Sequence, residues 1–205
     1  MGSTGPVLPP LPSDAGLPPA PAPPPTRPLW VEVLQIVAGS LLLAFFIITY
    51  VGRAFTVEGP SMYPTLHSGE RLIVDELTYR FRDPARGDIV VFRYPADPSE
   101  YFVKRLVGLP GEVVEIRAGH VYVNGRQLSD DFLTEQTLGD FGPAVVPDQH
   151  YFVLGDNRNN SADSRDPRVG FVPRSFIVGR ALWRYWPLTR VQVLSPPEQW
   201  QTLHG

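Results

Sequence analysis

The longest apolar run extends from Val33 to Val51, nineteen residues without a charge. As a helix it spans about 28 Å at 1.5 Å per residue, close to the hydrocarbon thickness of a bilayer. Trp30 and Tyr50 stand where interfacial aromatics belong, so the pattern predicts one transmembrane helix over 30–52. A cleaved secretory signal is the rival, because Gly52-Arg53-Ala54 offers small residues at the −3 and −1 positions of a cleavage site, with self-cleavage after Ala54 as its corollary. The length of the run, the long region before it and the lack of a basic cluster favour the anchor. Arg27 on one side and Arg53 on the other leave its orientation open.

Beyond Arg53 the hydrophobic period is two. Strands are predicted at Ala54–Val57, Arg71–Leu77, Asp88–Tyr94, Tyr101–Val107, Glu112–Ile116, His120–Val123, Gln127–Ser129, His150–Leu154 and Ile177–Trp186. Asn124-Gly125 marks a two-residue hairpin turn. Outside the span, no stretch of ten residues has helical periodicity. The fold class expected is mainly β: antiparallel sheets forming a partly closed, barrel-like domain over 54–190, preceded by one transmembrane helix and followed by a C-terminal tail at 191–205. Residues 1–28 hold eleven of the 24 prolines and are charged only at Asp14 and Arg27, which predicts a disordered, partly polyproline-II tail.

Composition mostly excludes. A net charge of −3 with interspersed signs offers no basic stripe for nucleic acid. The absence of cysteine removes disulfides, thiolate catalysis and cysteine-based metal sites. His67, His120, His150 and His204 lack ligand spacing, so no metal is expected.

One count changes the picture. Lys104 is the single lysine among eighteen Lys and Arg residues, and it lies in the alternating apolar run Tyr101–Gly108. Burial there would turn an ammonium into a neutral amine near pH 7, which arginine cannot become. A leftover surface charge is the plain alternative. Two further segments draw notice. In Val57–Leu66, Pro60 and Pro64 bracket Ser61 and Met62, and the backbone is expected extended on both sides of a small hydroxyl. Gly155–Arg165 is dense in Asp, Asn, Ser and Arg, either a self-supporting turn network or the buttress of a site.

After one apolar span and in this order, the segments around Ser61, Lys104–Glu112 and Gly155–Arg165 resemble the serine, lysine and glycine-aspartate-asparagine boxes of the type I signal peptidases. Arg86–Phe92 resembles a fourth, structural box, and the likeness runs from the span to about Trp186. The resemblance implies that Ser61 is the nucleophile, Lys104 the general base, and Ser161 a hydroxyl that hydrogen-bonds and orients the lysine. Asp163 and Arg165 match a charged pair beside the site, and Asp156, Asn157 and Arg158 match support positions. Gly59 stands where many Gram-negative members carry a serine that donates to the oxyanion, as in the shorter Gram-positive type. With Pro60 lacking an N–H, the backbone N–H of Ser61 is the expected oxyanion donor.

The implied activity is removal of signal peptides from exported preproteins through an acyl-enzyme, after small residues at −1 and −3. Implied with it are no metal or cofactor, a monomer, and a single-pass anchor in the cytoplasmic membrane with the domain on its outer face. Substrate would dock as an added strand, against Met62 and the strands near Val57 and Val74. Trp183, Tyr185 and Trp186 are either a membrane-facing patch or core. Two alternatives stand beside this: a soluble self-cleaving serine-lysine protease of the SOS-repressor type, disfavoured by the span, and a membrane-tethered β domain that only binds proteins.

Overall fold

A computed structural model of the chain describes Gly2, residues 28–50 and residues 52–201. The proline-rich tail expected at 1–28 lies outside the described residues, apart from Gly2 and Pro28. Leu29–Tyr50 form helix α1, whose described apolar side chains, including Leu34, Ile36 and Leu42, are exposed apart from the half-buried Val31. Its side chains are described as far as Leu43, and among the described residues no helix is long and apolar enough to cross a membrane.

The rest is mainly antiparallel β. In chain order the strands are β1 (Gly52–Thr56), β2 (Arg71–Asp75), β3 (Ile89–Tyr94), β4 (Asp97–Gly108), β5 (Val113–Arg117), β6 (His120–Val123), β7 (Arg126–Gln127), β8 (Phe141–Val145), β9 (His150–Leu154), β10 (Val172–Pro173), β11 (Ile177–Trp186) and β12 (Gln192–Val193). One sheet runs β1-β2-β11-β3-β4-β9-β10 with β12 beside β11, and a smaller one runs β7-β6-β5-β8. The partly closed barrel is therefore corrected to two open sheets. β10 ends the larger sheet after two residues, and Pro173 lacks the N–H that would extend the ladder.

The central strands are buried on both faces, which is why they read as continuous apolar runs. Ile89 and Val91 of β3 enter one core cluster with Met62, Leu66 and Leu72, while Val90 and Phe92 enter another with Leu106 and Val153. A third cluster joins the small sheet to β9 through Val114, Ile116, Phe152 and Leu154.

Six of the nine predicted strands differ from the observed ones only at their ends, and His120–Val123, His150–Leu154 and Ile177–Trp186 coincide with β6, β9 and β11. The bond after Ala54 lies inside β1, with Ala54 opposite Ile73, rather than in a free segment. The C-terminal tail expected at 191–205 is corrected: β12 pairs with β11, and Trp200 is fully buried, its indole N–H donating to Ser129 O at 2.9 Å. Trp200→Phe keeps most of the apolar volume but leaves that carbonyl unpaired. It is expected to cost about 1–2 kcal/mol, read as a lower denaturation midpoint at unchanged m value.

Candidate active site

Ser61 sits on a turn. Tyr63 N–H donates to Pro60 O at 3.0 Å and Leu66 N–H to Met62 O at 2.8 Å, so the chain coils after the serine and the extended backbone expected there is corrected. Met62 and Leu66, both fully buried, anchor the turn in the core beneath β2 and β3. Gly59 precedes it at φ 77°, a left-handed conformation that glycine adopts without a Cβ penalty. The N–H of Ser61 donates to no other described residue.

β4 brings up Lys104. Its side chain is 4% exposed, and Nζ donates to Ser61 Oγ at 2.7 Å and to Val103 O at 3.1 Å. Burial pulls its pKa down from 10.5 to about 8, against the opposing pull of Asp163 and Asp156. The Phe102 ring, 5.2 Å from Nζ, also favours the ammonium. An amine so placed accepts a hydroxyl proton once it has lost its own.

The loop after β9 closes over the serine turn. Asn157 N–H donates to Ser61 O at 3.0 Å and its side-chain amide to Pro60 O at 3.2 Å. This approach needs glycine at 155, where a Cβ would stand 2.5 Å from Ser61 O. Asp156 is buried and receives Arg105 through both carboxylate oxygens, at 2.8 and 2.6 Å, together with Thr65 Oγ1 at 2.6 Å. Asp163 holds the loop shut: Arg165 donates to both its oxygens at 2.8 Å, and Gly155 N–H donates at 3.0 Å. Arg158, also buried, donates to Gly155 O at 3.1 Å and reaches Asp130 and Thr137 at 3.3 Å.

The structure thus brings together Ser61, Lys104, Asp156, Asn157, Arg158, Asp163 and Arg165. Ser161 is the exception. The lysine amine spends its hydrogen bonds on Ser61 and Val103, and Ser161 Oγ, buried beside Gly155, has no hydrogen-bond partner, so the expected hydroxyl-to-lysine bond is corrected. Two participants escaped the sequence reading, Arg105 and Thr65. Arg105 carried a signal: it alternates with Lys104 along a strand that runs inward on both faces, so a charge there demands a buried carboxylate.

Beside Ser61 and Lys104 lies a groove of about 580 Å³, walled by Phe55, Val57, Leu72, Val91 and Val103. β9 pairs with β4 only from Arg105 to Gly108, and β1 ends the sheet, so the groove is flanked by open backbone edges. The strands near Val57 and Val74 line it as expected, through Val57 and Leu72, whereas Met62 is fully buried in the core and does not. Trp183 and Trp186 are 53% and 47% exposed, which assigns them to the surface rather than the core. Among the described residues, no group of His, Asp and Glu is arranged to hold a metal.

The chain is similar in sequence to proteins of known family. The family model described as "Signal peptidase, peptidase S26" matches residues 30–186. The probable signal peptidase I-2 of Synechocystis sp. is 43% identical over 177 residues, covering 83% of this chain and 80% of its own. Signal peptidase I of Leptolyngbya laminosa is 40% identical over 196 residues, covering 87% and 95%. A solved signal peptidase I from Enterococcus faecalis V583 is 38% identical, covers 48% of this chain and 97% of its own, and superposes with a TM-score of 0.43. With the family match spanning the apolar helix, the serine turn, the lysine strand and the closing loop, the chain belongs to the signal peptidase family, peptidase S26.

Proposed function

We propose that this protein is a membrane-anchored serine endopeptidase that removes N-terminal signal peptides from exported preproteins. The observation that carries the reading is a buried lysine amine 2.7 Å from a serine hydroxyl at an apolar groove, in a chain whose relatives are named signal peptidases. Neutral Lys104 takes the Ser61 proton as Oγ attacks the substrate carbonyl, and the Ser61 N–H donates to the oxyanion. The lysine then protonates the leaving amine and activates the water that hydrolyses the acyl-enzyme. No step draws on a metal or cofactor.

Substrate lies extended between the free edges of β1 and β4, adding a strand. Alternate side chains of a strand share a face, so the −1 and −3 residues, small in substrates of this class, both meet the apolar groove wall. Residues 30–52 span the cytoplasmic membrane once and hold the monomeric β domain at its outer face; the tail at 1–28 precedes them. One residue separates α1 from β1. The exposed Trp183 and Trp186, with Leu188, Val191 and Val193 nearby in the chain, give it a second apolar contact with lipid.

The test is cleavage of a preprotein carrying an Ala-x-Ala site, by full-length wild type and by Ser61→Ala in detergent. Wild type is expected to cut after the second alanine and the variant to be inactive. Because only the neutral amine is active, kcat/KM should rise about tenfold per pH unit up to about 8 and then level off. A protein that cuts equally well without the Ser61 hydroxyl, or a flat profile from pH 6 to 8, overturns the dyad.

A further inference from the structure

β11 changes phase in its middle. Against β2 its register shifts between Ala181 and Trp183 and again between Arg184 and Trp186. Inward positions therefore pass from Gly179 and Ala181 to Arg184, while Trp183 turns out. A bulge re-aims a side chain, and here it drives a guanidinium into the core, where only 5% of the residue stays exposed.

There Arg184 ties the end of the serine turn to the segment that follows β11. Nη1 donates to Thr65 O at 3.0 Å and to Glu70 Oε2 at 3.1 Å, Nε to Arg190 O at 2.7 Å, and Nη2 to Gln192 Oε1 at 2.7 Å. Glu70, 3% exposed, also accepts from His67 N–H at 3.0 Å and pairs with Arg190 at 2.9 Å. Thr65 is thus gripped at two points: its carbonyl by Arg184, its hydroxyl by Asp156, whose neighbour Asn157 donates its N–H to Ser61 O.

We propose that Arg184 and Glu70 are positioning residues for the reaction: they fix the serine turn from below, through Thr65, as the Asp156 loop fixes it from above. Neither side chain lines the groove or bonds to Lys104; their links to its walls are through backbone, Glu70 O accepting Val57 N–H at 2.8 Å and Arg184 standing opposite Leu72. Replacing the two side chains leaves those backbone links in place, so it moves Ser61 Oγ relative to the amine with little change to the surface that binds substrate. The inference rests on the proposed Ser61–Lys104 mechanism.

The test compares kcat and KM of full-length variants on the Ala-x-Ala preprotein. Arg184→Met is expected to lower kcat about 10²-fold, the scale of an ångström-sized misplacement, with KM within about twofold. Arg184→Lys, which can still reach Glu70 or Thr65 O but cannot hold all four partners, should fall in between. A single loss also strands a buried carboxylate, so Glu70→Leu with Arg184→Met separates stability from positioning, since an apolar pair of similar volume tolerates the site. The double variant should recover thermal stability while kcat stays low. Recovery of kcat along with Tm makes the pair purely structural and overturns the proposal, as does an unchanged kcat in folded Arg184→Met. Full activity of Ser61→Ala would instead overturn the underlying mechanism, and it is read from a separate variant.

Discussion

Lys104→Met should abolish cleavage and make the protein more stable. Without the amine nothing takes the Ser61 proton, and the loss is expected to reach at least about 10³-fold in kcat/KM. Stability follows from the sign of the pKa shift. The folded-state value of about 8 lies below the 10.5 of the exposed side chain. Between those values the unfolded chain holds the extra proton, so stability rises with pH from about 8 to 10.5. Below pH 8 the folded state bears the full penalty, about 3 kcal/mol for a shift of this size. Methionine removes the penalty but forfeits the bond to Ser61, so the variant should gain about 1–3 kcal/mol at pH 6. The advantage should vanish above pH 10.5. Lys104→Arg gives the opposite control, since a guanidinium keeps the buried charge and gains nothing. Denaturant titrations at pH 6 and 9, with cleavage rates on the same samples, check both halves. A methionine variant within tenfold of wild type would remove Lys104 from the chemistry, and one no more stable at pH 6 would mean that the amine carries no desolvation penalty.

Such a penalty is what the proposed role of Lys104 requires, and the burial behind it explains why this part of the site was legible in the sequence. One lysine in an alternating apolar strand already implied desolvation, and Ser61 followed from the prolines around it together with the family resemblance. The strands were legible for the same reason, wherever period-two alternation was unbroken. β8 was not, because Gly142-Pro143 interrupts its pattern, and neither was the start of β4, a polar hairpin arm with exposed side chains at Asp97–Tyr101. Arg184 was hidden by a change of phase, since a strict alternation of β11 that turns Ala181 inward would turn Trp183 inward and Arg184 outward. Trp200 was hidden by its isolation: one aromatic beyond the last strand carries no period, yet its burial folds the C-terminal segment onto the core. Ser161 failed differently. Its position in the loop was legible, but the partner of a hydroxyl depends on a side-chain contact that no spacing encodes.

Asp156→Ala should unsettle stability and catalysis through one buried contact. Arg105 is 3% exposed and keeps Gly87 O at 3.0 Å as its remaining close acceptor once the carboxylate is gone. Stranding one member of such a pair costs about 3–5 kcal/mol, a large share of the stability of a domain this size. Thr65 and the Asn157 grip on Ser61 loosen with it, so activity should fall as well. The milder Asp156→Asn separates the two effects. It keeps the shape and some hydrogen bonding but removes a negative charge that raises the Lys104 pKa, so the kcat/KM profile should move below its midpoint of about 8. Asp163→Asn should shift it further, because Asp163 is the stronger of the two charges acting on the amine. Acidic shifts in that order tie the loop to the chemistry of Lys104 as well as to the fold. Midpoints that stay put, or rise, would reduce the two aspartates to bracing, with the lysine tuned by burial alone.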